Sequence, residues 1–180
     1  MKKTNLLLAL FGIITGFNAL ADDIVEIKAE KYQVVEFKKG SSALTDASKK
    51  QLANLIAASR KNNAEIDKVH VAAWSDTALP IAGTEDLSKK DRELAEARAK
   101  NVEDYLEKSY KVDDVSKYNL AERANWLAKA FNTKDAELKS LFTTEKSAPL
   151  EHAEFMTIRQ HGAPARAVVV IRTEKAVKKM

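Results

Sequence analysis

Hydrophobic positions along the chain switch between two periods. From Ile66 to Trp74 they alternate, with Val69, Val71 and Ala73 facing one way and Lys68, His70 and Trp74 the other, which predicts a half-buried strand. From Ser88 the period lengthens: projected at about 100° per residue, Leu94, Ala95, Ala99, Val102, Tyr105 and Leu106 share one apolar sector, which predicts a helix to about Lys108. Ser88, followed three residues later by Asp91, resembles a capping box at its start. Upstream, Ile24 to Phe37 carries short β-branched and aromatic runs, and Lys38 to Ser42 then breaks the pattern as a loop. Thr45 or Asp46 can cap a helix through about Arg60, with Leu52, Leu55, Ile56 and Ser59 on one stripe and Asn62-Asn63 as its stop.

Pro80 and Gly83 mark Thr77 to Asp86 as a loop, and Val115 to Leu120 suits a short strand. Ala124 to Phe131 and Thr133 to Phe142 have helical spacing, and Ser147 with Pro149 can start a further helix that Gly162 ends. Finally, Val168-Val169-Val170-Ile171, within Arg166 to Arg172, is a β-branched run suited to a central strand covered on both faces. The order β, α, β, α, β, inserted helices, β predicts an α+β sandwich with helices packed on a mixed sheet. Phe37, Leu52, Leu55, Ile56, Val69, Val71, Leu94, Val102, Leu106, Val168 and Val170 are expected to share one core.

The first residues follow a different rule. Lys2 and Lys3 precede an apolar run from Leu6 to Ile14, and Ala19-Leu20-Ala21 offers the small residues of a signal-peptidase site. Residues 1–21 are therefore expected to be a signal peptide cleaved before Asp22, leaving 180 − 21 = 159 residues. The run is shorter than the ~20 residues that span a bilayer, and Asn18 interrupts its end, so no transmembrane segment is expected after cleavage. Cysteine is absent, which excludes lipid attachment at the cleavage point, disulfides and thiolate chemistry. The expected location is the periplasm. With Lys2 and Lys3 removed, 28 basic residues face 26 acidic ones, interspersed along the chain, which argues against nucleic acid as a partner. Residues 22–180 read as one domain, with an inserted helical region at about 121–162.

Arg98 stands out because it lies inside the apolar sector of its helix, four residues after Leu94 and four before Val102. Asp91 shares that face. A guanidinium there either snorkels to the rim or meets carboxylates, since leaving it unpaired costs several kcal/mol.

Three stretches carry a resemblance to the OmpA C-terminal-like domains, a family of peptidoglycan-associating envelope modules. They are Phe37-x-x-Gly-Ser-Ser-x-Leu44-Thr, Trp74-Ser75-Asp76, and Leu94-Ala-Glu-Ala-Arg98-Ala-x-x-Val102-x-x-Tyr105-Leu106. The similarity runs from about Val34 to Lys108, with Ala165 to Ile171 resembling the closing strand. It implies noncovalent binding of the peptidoglycan stem through diaminopimelate, with an aspartate on its ammonium and an arginine on its carboxylate. These roles fall on Asp76 and Arg98, and Trp74, Ser75 and Asp91 complete the candidate ligand site. The family's G-H-T-D is here Ala73-Trp74-Ser75-Asp76, and its asparagine before the helix leucine is Asp91. Trp74 can stack on a sugar or stem peptide, or pack as a strand residue.

Catalysis finds no support in the residues. His70, His152 and His161 lack metal-ligand spacing, no G-x-S-x-G or Gly-rich phosphate loop is present, and no cofactor is implied. His70 reads as a surface or interface residue of its strand. The alternative to a peptidoglycan anchor is an OmpA-like scaffold that binds an envelope protein, with Arg98 paired to Asp91 or Asp76.

Overall fold

Alternation in β2 (Ala64–Ala73) and the β-branched run in β4 (Arg166–Lys175) place these two strands at the centre of a four-stranded sheet. The computed structural model describes residues 31–79, 85–123, 130 and 150–175. The remaining strands are β1 (Lys31–Glu36) and β3 (Val115–Asn119), and the order across the sheet is β1-β4-β2-β3. β4 runs antiparallel to both β1 and β2, whereas β3 is parallel to β2, so the sheet is mixed. The helices are α1 (Asp46–Ser59), α2 (Lys89–Tyr110) and α3 (His152–His161). A parallel β2-β3 pair needs a crossover, and α2 supplies it.

Local chemistry sets the helix ends. Thr45 caps α1, accepting from the Ser48 amide, and a 3₁₀ turn at Lys61–Asn63 follows, with both Asn62 and Asn63 at a left-handed φ of 58°. Asparagine tolerates that conformation. Ser88 caps α2 by accepting from the Asp91 amide, and Lys111 closes it in the left-handed region. α3 starts later than the Ser147-Pro149 signal suggests. Glu151 and Glu154 form a reciprocal capping box there, each carboxylate accepting from the other residue's amide, and the helix stops at Gly162 as expected.

Two hydrophobic cores, not one, flank the sheet. Val35, Val69, Val71, Ala73, Ala167, Val169 and Ile171 point to one face, against Leu52, Leu55 and Ile56 of α1 and Ala99, Val102 and Leu106 of α2. Ala72, Trp74, Tyr118, Val168 and Val170 point to the other, against Phe155 and Ile158 of α3. The strand register dictates this split: Val69 opposes Ile171 and Val71 opposes Val169, while Ala72 opposes Val168, and a one-residue step changes face. Val168 and Val170 therefore leave the predicted common core. Leu94 is half-buried and joins neither cluster. β2 is likewise covered on both sides from Val69 to Ala73 instead of half-buried. The expected signal peptide and the helices expected at 133–142 lie outside the described residues, as does the stretch at 124–131 apart from Ala130.

Candidate functional site

Past the end of β2 the chain turns through Trp74, Ser75 and Asp76. Trp74 is buried and sits on Gly162, where an added Cβ would come within 2.2 Å of its ring. Its indole is thus a packed residue with no face left open for stacking. Ser75 is buried as well; its hydroxyl accepts from the Thr77 amide at 3.0 Å and donates to the Thr77 carbonyl at 2.8 Å, fixing the turn. Asp76 emerges at the rim with its side chain 18% exposed.

Arg98 arrives from α2 with its side chain fully buried. Its Nε donates to the Ser41 carbonyl at 2.9 Å and its Nη1 to the Trp74 carbonyl at 2.8 Å. Nη2 donates to the Lys38 carbonyl at 3.3 Å and to Asp76 Oδ1 at 2.6 Å. The Phe37 ring lies 5.1 Å from the guanidinium carbon. The burial removes the snorkelling alternative, and the carboxylate that meets this arginine is Asp76. Four acceptors around one guanidinium offset the cost of taking it out of water.

The second Asp76 oxygen accepts from the Gly40 amide at 2.5 Å. Gly40 has φ +69°, a conformation glycine adopts freely, which turns its N–H toward the carboxylate. Burial would raise the Asp76 carboxyl, but the hydrogen bonds from Arg98 and Gly40 and the charges of Arg98 and Lys39 outweigh it and hold it below the ordinary 3.8. Asp91 lies in the first turn of α2, half-buried, with Oδ2 accepting from the Ser88 hydroxyl at 2.6 Å. That bond is the main cause holding it below its ordinary value; burial opposes, the Ser75 and Thr77 hydroxyls assist, and Asp76 opposes. Asp91 therefore stands beside the strand-end turn, close enough to feel Asp76.

A second polar centre, missed by sequence reasoning, lies on the opposite face. His70 is fully buried, contrary to its expected surface position, with Nδ1 3.2 Å from the Tyr118 hydroxyl and Nε2 3.5 Å from Glu154 Oε2. Nε2 has no hydrogen-bond partner. Glu154, also fully buried, accepts from Arg172 Nε at 2.8 Å and Nη2 at 2.5 Å and from the Glu151 amide at 2.7 Å. Burial drives the His70 pKa down to about 4; Glu154 opposes the fall, Arg172 and Lys68 add to it, and Asp114 opposes. Burial likewise raises the Tyr118 phenol to about 12.

Among the described residues, no cluster of His, Asp and Glu could hold a metal ion, and no helix is long and apolar enough to cross a membrane. Two open surface clefts of about 500 and 600 Å³ are present, one around Arg60, Ile66 and Asp114 and one around Thr45, Gln51 and Phe37, the residue that also flanks Arg98. Neither Asp76 nor Arg98 lines either of these two clefts.

The model of the OmpA family matches residues 36–137. No curated protein matches the sequence. Among solved structures, the OmpA-like domain of FopA1 from Francisella tularensis subsp. tularensis SCHU S4 aligns over 82% of this chain and 77% of its own, at 16% identity and a TM-score of 0.40.

Proposed function

The chain belongs to the OmpA family, and on that premise we propose that it is a non-catalytic, noncovalent peptidoglycan-binding domain of the periplasm, exported by cleavage before Asp22. Domains of this family in general associate with peptidoglycan. The finer part of the proposal is that the diaminopimelate of the stem peptide is the group bound, at the rim formed by Asp76, Arg98 and Asp91, with Trp74 and Ser75 building the ledge beneath.

The observation that carries this proposal is the fixed carboxylate of Asp76. It is partly exposed, kept ionised, and aimed by Arg98 and the Gly40 amide, which suits it to receive an ammonium group. Cosedimentation with purified sacculi tests it. The protein should pellet with sacculi, and Asp76→Ala should weaken binding about ten- to a hundredfold, since a hydrogen bond to a charged group contributes about 1.5 to 3 kcal/mol. Lys90→Ala, on the exposed start of α2, should bind like the parent.

One observation favours a second reading, the scaffold for an envelope protein. Arg98 is fully buried and satisfied from within the domain, as it would be if the pair were purely architectural. Absence of pelleting by the folded parent protein would select that reading.

A further inference from the structure

A single carboxylate, Glu154, ties α3 to the sheet. Of the three residues this helix buries, Phe155 and Ile158 are apolar and the third is Glu154. Its Oε1 accepts from Arg172 Nε, and its Oε2 accepts both from Arg172 Nη2 and from the Glu151 amide, which fills the lone pairs of that second oxygen. His70 Nε2 lies 3.5 Å from the same oxygen, buried and without a hydrogen-bond partner. A proton held there would point at an acceptor that is already taken. Among the described residues, the titratable and charged groups facing His70 are Lys68 of β2, Asp114 and Tyr118 at β3, Glu154 of α3 and Arg172 of β4. Glu154 already has Arg172, and Asp114 has Lys68 at 3.4 Å, so an imidazolium would be a third cation with no anion of its own.

Moving α3 relieves that charge with the least disruption. The helix has ten residues and rests on the sheet through two buried apolar side chains, whereas α1 and α2 fill the other core with Leu52, Leu55, Ile56, Ala99, Val102 and Leu106. The chain beyond it is pinned: the Ala165 amide donates to the Ser75 carbonyl at 2.7 Å and the Trp74 amide to the Arg166 carbonyl at 2.9 Å, which leaves residues 162–164 to bend. We infer that α3 is an acid-released layer: a proton on His70 undocks it from the sheet about a hinge at residues 162–164, while the core under α1 and α2 stays closed. The inference stands whether or not the domain binds peptidoglycan. In the open form His70 regains its ordinary value of 6.5, against about 4 when closed, so the opening constant rises about twentyfold between about pH 7 and about pH 5.

Native-state hydrogen exchange of the full mature chain at these two pH values, in low urea and corrected for the intrinsic exchange rate, tests this. Amides from Phe155 to His161 should open about tenfold or more above those from Leu52 to Ile56, with a weaker dependence on urea because less surface is exposed. Their opening should rise about twentyfold at the lower pH. His70→Phe should abolish the rise, and His152→Gln, at the exposed start of α3, should keep it. If His70→Phe does not fold, the comparison of α3 with α1 in the parent protein decides. One opening constant and one urea dependence shared by α3 and α1 would mean that His70 acts on global unfolding alone, and the inference fails. It fails equally if α3 shows no acid rise, or if the rise persists in His70→Phe.

Discussion

Acidification from about pH 8 to about pH 5 should cost this fold about 2 kcal/mol through His70 alone. The imidazole is fully buried between β2, β3 and α3, and protonating it would place a cation beside Glu154 but also beside Arg172 and Lys68. Its pKa accordingly falls from 6.5 to about 4. Since the folded value is the depressed one, the unfolded chain binds the proton first. Stability is complete above the ordinary value, declines below pH 6.5, and stops declining below about 4. The full interval is worth about 3 kcal/mol at about 1.4 kcal/mol per pH unit. Asp76 and Asp91 do not confuse this window, because carboxyls held below 3.8 withdraw their contribution only as the pH falls past that value. Urea unfolding followed by tryptophan fluorescence at the two pH values measures the loss, and the ring C–H resonances of His70 report its titration directly. A His70→Phe variant should show a flat profile between them, whatever its absolute stability. A parent protein with no acid-side loss, or a loss that persists undiminished in His70→Phe, would refute the reasoning.

Three further outcomes follow from the packing. Glu154→Leu leaves the partly buried Arg172 guanidinium only its looser 3.4 Å contact with Glu151 and should cost about 1.5 to 3 kcal/mol in urea unfolding, most of which Arg172→Met in the same chain should restore. Gly162→Ala drives a methyl group into the Trp74 ring and toward the Ile158 carbonyl, which should cost about 1 to 3 kcal/mol and shift the tryptophan emission. Amides of Val69 to Ala73 and Val168 to Ile171 should exchange with solvent slowest of all, and exchange as fast as the 38–42 loop would overturn their central position.

Elements whose apolar positions keep a strict period were legible in the sequence to within a few residues. α2 is the clearest: the stripe through Ala95, Ala99, Val102 and Leu106, the Ser88 cap and the anomalous Arg98 all lie within one contiguous segment. The contact between Arg98 and Asp76 was anticipated through that anomaly together with the family pattern. Its remaining partners were not, because the acceptors on Lys38, Ser41 and Trp74 are main-chain carbonyls that any residue could provide. The division into two cores escaped for a related reason. Consecutive valines at 168, 169 and 170 show that both faces of a strand are covered without showing which helices cover them. His70 was misjudged because alternation with Lys68 suggested a polar face, whereas Glu154 and Arg172, which make its burial possible, arrive from α3 and β4 far along the chain. The start of α3 was missed because a glutamate pair serves as its capping box in place of Ser or Thr.

The sheet order also sets a schedule. β4, which bridges β1 to β2, is the last described strand to leave the ribosome, yet without it β1 has no hydrogen-bonded neighbour and β2 has only the short parallel β3 among the described strands. Contacts that close so large a loop form slowly and all at once. A chain delivered from its N-terminus therefore cannot assemble its central hydrogen-bonded ladder in stages. It stays threadable until its C-terminal segment is free, and then the two cores close on either side of a strand that has only just appeared.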